Sequence, residues 1–215
     1  TTTGLMVAVD ATCSGLQILA GLARDRSTAE LVNVVPNSKP SDAYKAVADK
    51  AKEFLPSYMH HWMDRSVCKR TVMTIPYNAT KDSSRKYIRE ALLEEGIDPT
   101  KDELTQVVNA VYNSMDSIVP GPMQVMRWIK KHVGLYIRNG AKEVQWVTPS
   151  GFIVNQRRDD IETMRMELQL LGRTSIRLPT GKFTPSPTKH KSSTAPNYIH
   201  SFDASILHRS FTQFD

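Results

Sequence analysis

Residues 65 to 77, Arg-Ser-Val-Cys-Lys-Arg-Thr-Val-Met-Thr-Ile-Pro-Tyr, constrain this chain more than any other stretch. Arg65, Lys69, Met73 and Tyr77 stand four apart. In a helix, residues at that interval share one face, drifting by roughly 40° per step. Two cations one turn apart repel unless an anion lies between them, so a helix here presents a face suited to a polyphosphate. Met73 and Tyr77 continue it with a soft apolar side chain and a hydroxyl. Pro76 lacks an amide hydrogen and should end or kink the helix, and Asn78 is one of the few residue types that tolerate positive φ in the turn beyond. Taken alone, Arg-x3-Lys reads more simply as a solvated basic face.

A chain of 215 residues with 40% hydrophobic content can bury a real core. Its net charge of +6, from 28 basic and 22 acidic residues, suits a nucleic-acid partner without requiring one. Cys13 and Cys68 lack the spacing of a zinc site or a disulfide framework, which points to a reducing compartment. No apolar run approaches the ~18 residues of a membrane span, and no stretch of these residues reads as a secretory leader. The start at Thr1, on the approach to a core strand, reads as that of a piece of a longer protein.

The apolar run Leu5 to Val9 reads as a buried strand that delivers Asp10 at its end, although Asp10 equally suits the cap of the helical pattern that follows. Ser41-Asp42 caps a helix whose stripe is Ala43, Val47, Ala51, Phe54 and Leu55, and Pro56 should end it. Asp82 or Ser83 caps the next helix, closed by Gly96, and Thr100-Lys-Asp-Glu103 has the form of a capping box. Lys81, Arg85, Lys86 and Arg89 give the helix before Gly96 either a template-strand contact or a solvated face. Residues 144–148 and 152–155 flank Pro-Ser-Gly as a β-hairpin.

Arg-x3-Lys-x7-Tyr resembles the nucleotide-binding helix of the superfamily that unites family A DNA polymerases with the single-subunit RNA polymerases of phages and mitochondria. The wording Arg-Ser-Val-x-Lys-Arg-x-Val-Met-Thr is closer to the RNA polymerase branch. The resemblance implies that Arg65 and Lys69 hold the incoming triphosphate, with Met73 on the same nucleotide-binding face, and that Tyr77 packs beside base and sugar. The family usually follows this tyrosine with glycine, where this chain has Asn78.

Two further motifs occur in the family's order. Asp10-Ala-Thr-Cys-Ser-Gly-Leu-Gln17 is similar to its first catalytic motif, which implies that Asp10 binds catalytic magnesium and joins Lys69 and Tyr77 in the catalytic set. Gly15 stands where the DNA polymerase branch carries a glutamate that crowds the sugar 2′ position. Either its missing side chain leaves room for a ribose hydroxyl, or it allows close helix packing. Ala195-Pro-Asn-Tyr-Ile-His-Ser-Phe-Asp203 resembles the segment of the RNA polymerases that brings a histidine, here His200, near the sugar. The basic stretch with Arg173, Arg177, Lys182, Lys189 and Lys191 lies where that family has a promoter-reading hairpin, and otherwise reads as a solvated loop.

The resemblance implies an α+β fold, a partial right-hand polymerase of mostly helical fingers with a small antiparallel palm sheet. Its expected segments are 1–35, palm with the first metal aspartate; 36–142, fingers, with the nucleotide-binding helix at about 63–75; 143–194, β-hairpins; and 195–215, a helix. The implied activity is template-directed RNA synthesis from ribonucleoside triphosphates with two magnesium ions. The implied partners are a DNA template and promoter and the RNA product, with no membrane and a monomer when complete. The phage-infected cytoplasm or the mitochondrion is the expected place. The family's second metal aspartate comes from a His-Asp-Ser turn that these residues lack, so residues 1–215 alone are expected to be inactive. The alternatives are an enzyme of the DNA polymerase branch and a non-catalytic basic nucleic-acid-binding module.

Overall fold

The computed structural model describes Gly4, residues 11–168 and residues 174–213. The chain divides into two compact units, one running to Met126 and the other from Arg127. The fold is α+β, consistent with part of a polymerase domain.

The first unit is helical: α1 (Ser14–Ala23), α2 (Arg26–Leu31), α3 (Ala43–Lys52), α4 (Arg65–Thr74), α5 (Lys81–Glu94), α6 (Lys101–Ile118) and the start of α7 (Pro120–Arg138). The four-residue apolar spacing of α3 buries Val47 and Ala51 against α4 and α6, and Ile88 and Leu92 of α5 and Val107, Val111 and Met115 of α6 complete one core with Leu16 and Ala20 of α1. Phe54 and Leu55, expected in the α3 stripe, lie beyond the helix end at Lys52, where Leu55 still joins the core and Phe54 is exposed. The cap of α5 is Thr80 rather than Asp82 or Ser83: its hydroxyl accepts the Ser83 amide, which starts the helix at Lys81 and leaves Asp82 in the first turn. Thr100 and Glu103 form the reciprocal capping box of α6.

Asp25 ties the first turn of α2 to the start of α7. Its carboxylate caps α2 by accepting the Thr28 amide and hydroxyl and the Ser27 hydroxyl, and it also accepts the Gly121 amide at 3.1 Å. Burial alone would raise its pKa, but these hydrogen bonds outweigh burial and hold it at about 2. A carboxyl depressed on folding contributes stability that is complete above its unfolded pKa of about 4 and is lost as pH falls through its folded value. Asp25→Asn should therefore lower stability at neutral pH and flatten its decline between about pH 4 and pH 2. Denaturant titrations at several pH values measure this, and an unchanged slope would remove Asp25 from the acid response.

The second unit contains the rest of α7, the hairpin β1 (Val144–Val147) and β2 (Ile153–Gln156), the longer ribbon β3 (Asp159–Leu168) and β4 (Thr174–Pro185), and α8 (Pro187–Thr212). Both strand pairs are antiparallel, and in the ribbon Arg165 stands opposite Arg177. Ile161, Met164, Leu178 and Phe183 of the ribbon are exposed, so its stability comes from its ladder and its base rather than from a core beneath it. That base is polar and buried. His190 receives the Arg158 amide on Nε2 and so donates from Nδ1 to the Ser186 carbonyl, while Gln156 bonds Thr194 and Asn197. The helix expected from residue 195 begins instead at Pro187, because Ser186 caps it and proline is already set for a first helical turn.

Candidate functional site

Helix α4 starts where the Asp64 carboxylate accepts the Val67 amide, and Val67, Cys68, Thr71 and Val72 face the core. Arg65, Lys69 and Met73 are thereby left on the solvent side, where they line one recess of about 450 Å³ with Asp42, the cap of α3, Tyr44 of α3 and Thr12 and Cys13 ahead of α1. The spacing that suggested a shared face brings these three side chains together. Lys69 has no ion-pair partner among the described residues. Arg65 donates from Nε to Asp42 at 2.6 Å, and its guanidinium carbon lies 5.4 Å from the centre of the Tyr44 ring. Burial would raise the Asp42 carboxyl, but the hydrogen bond and charge of Arg65 and the amides of Lys45 and Tyr44 bring it below the ordinary value.

Tyr77 leaves this face. A 3₁₀ turn, Ile75–Tyr77, follows α4, and its tighter winding of about three residues per turn breaks the four-residue register. Tyr77 packs on α1 instead, with its hydroxyl 3.1 Å from Ser14 Oγ. A Cβ on Gly15 would lie 2.8 Å from Pro76 Cβ and 3.3 Å from two carbons of the Tyr77 ring. Of the two readings of Gly15, close packing is thus the one with contacts to support it. Asn78 takes the left-handed conformation at φ 67° and ψ 32°, which ends the turn as a glycine would.

Asp10 and Arg173 lie outside the described residues. His200 is on an exposed part of α8, beside a small recess lined by Asn155, Arg157, Arg158 and Asn197 of the second unit. Arg177 is exposed on β4, and Lys182 follows Gly181, at φ 79°, where the register of the same strand shifts. Lys189 and Lys191 belong to α8. The ammonium of Lys189 binds the Asp159 carbonyl at 2.7 Å and the Asp160 carboxylate at 2.9 Å, which clamps the base of the ribbon. The stem of Lys191 crosses Gly134 of α7. Both lysines therefore have structural work that their sequence neighbourhood did not reveal.

A larger recess between α5 and α6 is lined by Arg85, Lys86, Arg89 and Lys101, yet Arg85 pairs with Asp82, Lys86 with Glu90 and Arg89 with Asp98. Its charge is largely compensated, whereas Lys69 has no ion-pair partner among the described residues. Among the described residues no three His, Cys, Asp or Glu side chains are grouped to hold a metal ion, and no helix is long and apolar enough to cross a membrane.

The three ordered motifs resemble those of one family, and comparison with known proteins agrees. Residues 2–215 match the DNA-dependent RNA polymerase family, and the chain belongs to it. It is 30% identical, over 94% of its length, to the mitochondrial DNA-directed RNA polymerase of Mus musculus, and 28% identical, also over 94%, to that of Homo sapiens. To the RNA polymerase of Escherichia phage T7 it is 26% identical over 95% of its length. The chain spans 18% of each mitochondrial relative and 30% of the phage one.

Proposed function

We propose that this segment binds the incoming ribonucleoside triphosphate in template-directed RNA synthesis, with Arg65 and Lys69 on the phosphates. The observation that carries this reading is the α4 recess, where a lysine with no ion-pair partner among the described residues stands one turn from an arginine bonded through Nε. Neutralising a polyphosphate is what such a pair does best, since each charge-assisted bond is about twice as strong as a neutral one. In the proposed reaction an RNA 3′-hydroxyl attacks the α-phosphate and pyrophosphate leaves. The two cations favour that step by holding the phosphates in line and by stabilising the charge that builds on the leaving group. Tyr77 and His200 are assigned to the sugar, and Met73 to the nucleotide face.

Magnesium belongs to the proposal through Asp10. The described residues provide no ligand set for it, so no step is derived through the metal. When bound, it would add Lewis-acid stabilisation of phosphate oxygens. The assembly is proposed to act as a monomer on a DNA template and promoter, in the phage-infected cytoplasm or in mitochondria.

Titrating the chain with ATP, with and without magnesium, tests the reading. Triphosphate affinity that rises with magnesium and exceeds that for a single-stranded oligonucleotide of equal charge supports it. Binding that follows total charge and ignores magnesium would favour the basic nucleic-acid-binding module.

The exposed ribbon is the proposed promoter reader, through Arg177 and Lys182. Arginine can pair bidentately with guanine in the major groove, whereas lysine near phosphates adds affinity without sequence preference. Arg177→Ala is therefore expected to cost about 1–3 kcal/mol of base discrimination, and Lys182→Ala to weaken all promoters alike. A panel of promoter variants measures both, and an identical response to the two changes would reduce the ribbon to a nonspecific clamp.

A further inference from the structure

Asp42 does two jobs that no local feature of the sequence connects. One carboxylate oxygen, Oδ1, accepts the Tyr44 and Lys45 amides and caps α3, while the other, Oδ2, accepts Arg65 Nε from α4. The residue two beyond the cap, Tyr44, lies beneath the Arg65 guanidinium, and its own hydroxyl is fixed by donation to the Thr12 carbonyl at 2.8 Å. Arginine has five N–H donors in a planar fork, and binding at Nε uses one of them. A guanidinium held at Nε and resting on a ring cannot swing freely, and among the described residues neither terminal nitrogen is engaged, so both can meet another partner. Arg65, Asp42, Tyr44 and Lys69 all line the same recess.

We propose that Asp42 is a positioning residue that fixes the Arg65 guanidinium for the phosphates of a nucleoside triphosphate; this rests on the function proposed above for Arg65. Coulomb's law alone makes the opposite prediction. An anion beside a polyanion site repels the ligand, so its removal would strengthen binding if charge were its only effect. Positioning reverses the sign, because a mobile arginine must be ordered at the moment of binding.

The test is an NMR titration of the 215-residue chain with inorganic tripolyphosphate and magnesium-ATP. The variants are Asp42→Ser, Arg65→Ala and the two combined. Serine caps helices about as well as aspartate but is too short to reach Arg65, and Asp42→Asn, which keeps the cap through Oδ1 but turns an Nδ2 donor toward the Arg65 Nε–H, serves as the second variant. Asp42→Ser and Asp42→Asn should each weaken both ligands roughly three- to tenfold, and Asp42→Ser should add nothing to Arg65→Ala. The inference is overturned if Asp42→Ser binds as well as the parent or better while Arg65→Ala binds worse, or if the Asp42→Ser loss persists in full beside Arg65→Ala. If Arg65→Ala itself leaves tripolyphosphate binding unchanged, the phosphate role of Arg65 fails first, and the positioning role fails with it.

Discussion

Lys69→Ala, placed in a complete polymerase that carries this segment, should lower the use of nucleotide by about ten- to a hundredfold while leaving template binding nearly unchanged. A hydrogen bond between charged groups is worth about 1.5–3 kcal/mol, and each 1.4 kcal/mol is a factor of ten. The full range applies to Lys69 because no carboxylate among the described residues competes for it. The neighbouring Arg70 makes the control. It pairs with Glu90 at 2.9 Å and lies over the Tyr87 ring at 4.1 Å, away from the recess, so Arg70→Ala should cost some stability and little nucleotide affinity. Steady-state kinetics at saturating template separate the two. Equal effects from both lysine and arginine variants would mean that general positive charge, and not the α4 face, attracts the triphosphate.

Much of the α4 face was legible because its information is local. Helix periodicity places Arg65, Lys69 and Met73 together whatever the surroundings, and the capping box at Thr100 and the short hairpin at Pro149-Ser150-Gly151 are likewise set by neighbouring residues. The departures come from tertiary contacts or from small changes of winding. Tyr77 drops out of the α4 row because one 3₁₀ turn intervenes. Asp42 looked like a cap and is one, but its bond to Arg65 spans 23 residues and leaves no periodic signal. Lys189 and Lys191 sit in a basic, Pro- and Ser-rich stretch that reads as loop, yet Ser186-Pro187 starts a helix there and turns both stems into packing elements. The Gly121 amide that binds Asp25 is invisible for the same reason, being 96 residues away.

Gly15→Ala joins the two halves of this picture, since one methyl group tests packing and function together. In an ordinary helix interior the change would stabilise by about 1 kcal/mol. Here the new Cβ would meet Pro76 Cβ at 2.8 Å, a ring carbon that cannot rotate away, and the Tyr77 ring at 3.3 Å. Overpacking a tight contact costs about 1–3 kcal/mol, so the clash is expected to win and leave a net loss of about 1–2 kcal/mol. Relief requires the Pro76-Tyr77 turn to move off α1, which stretches the 3.1 Å contact between the Tyr77 hydroxyl and Ser14. If Tyr77 reads the sugar, as proposed, its displacement should also lower the preference for ribo- over deoxynucleotides, because a site selects by a polar group only while that group is held in place. Ser14→Ala removes the hydroxyl contact without adding bulk and should shift the preference in the same direction with a smaller loss of stability. Denaturant titration and the ratio of ribo- to deoxynucleotide incorporation measure the two effects. A stabilised Gly15→Ala protein would refute the packing geometry. A destabilised one with an unchanged ratio would separate Tyr77 from sugar selection and leave that choice to His200.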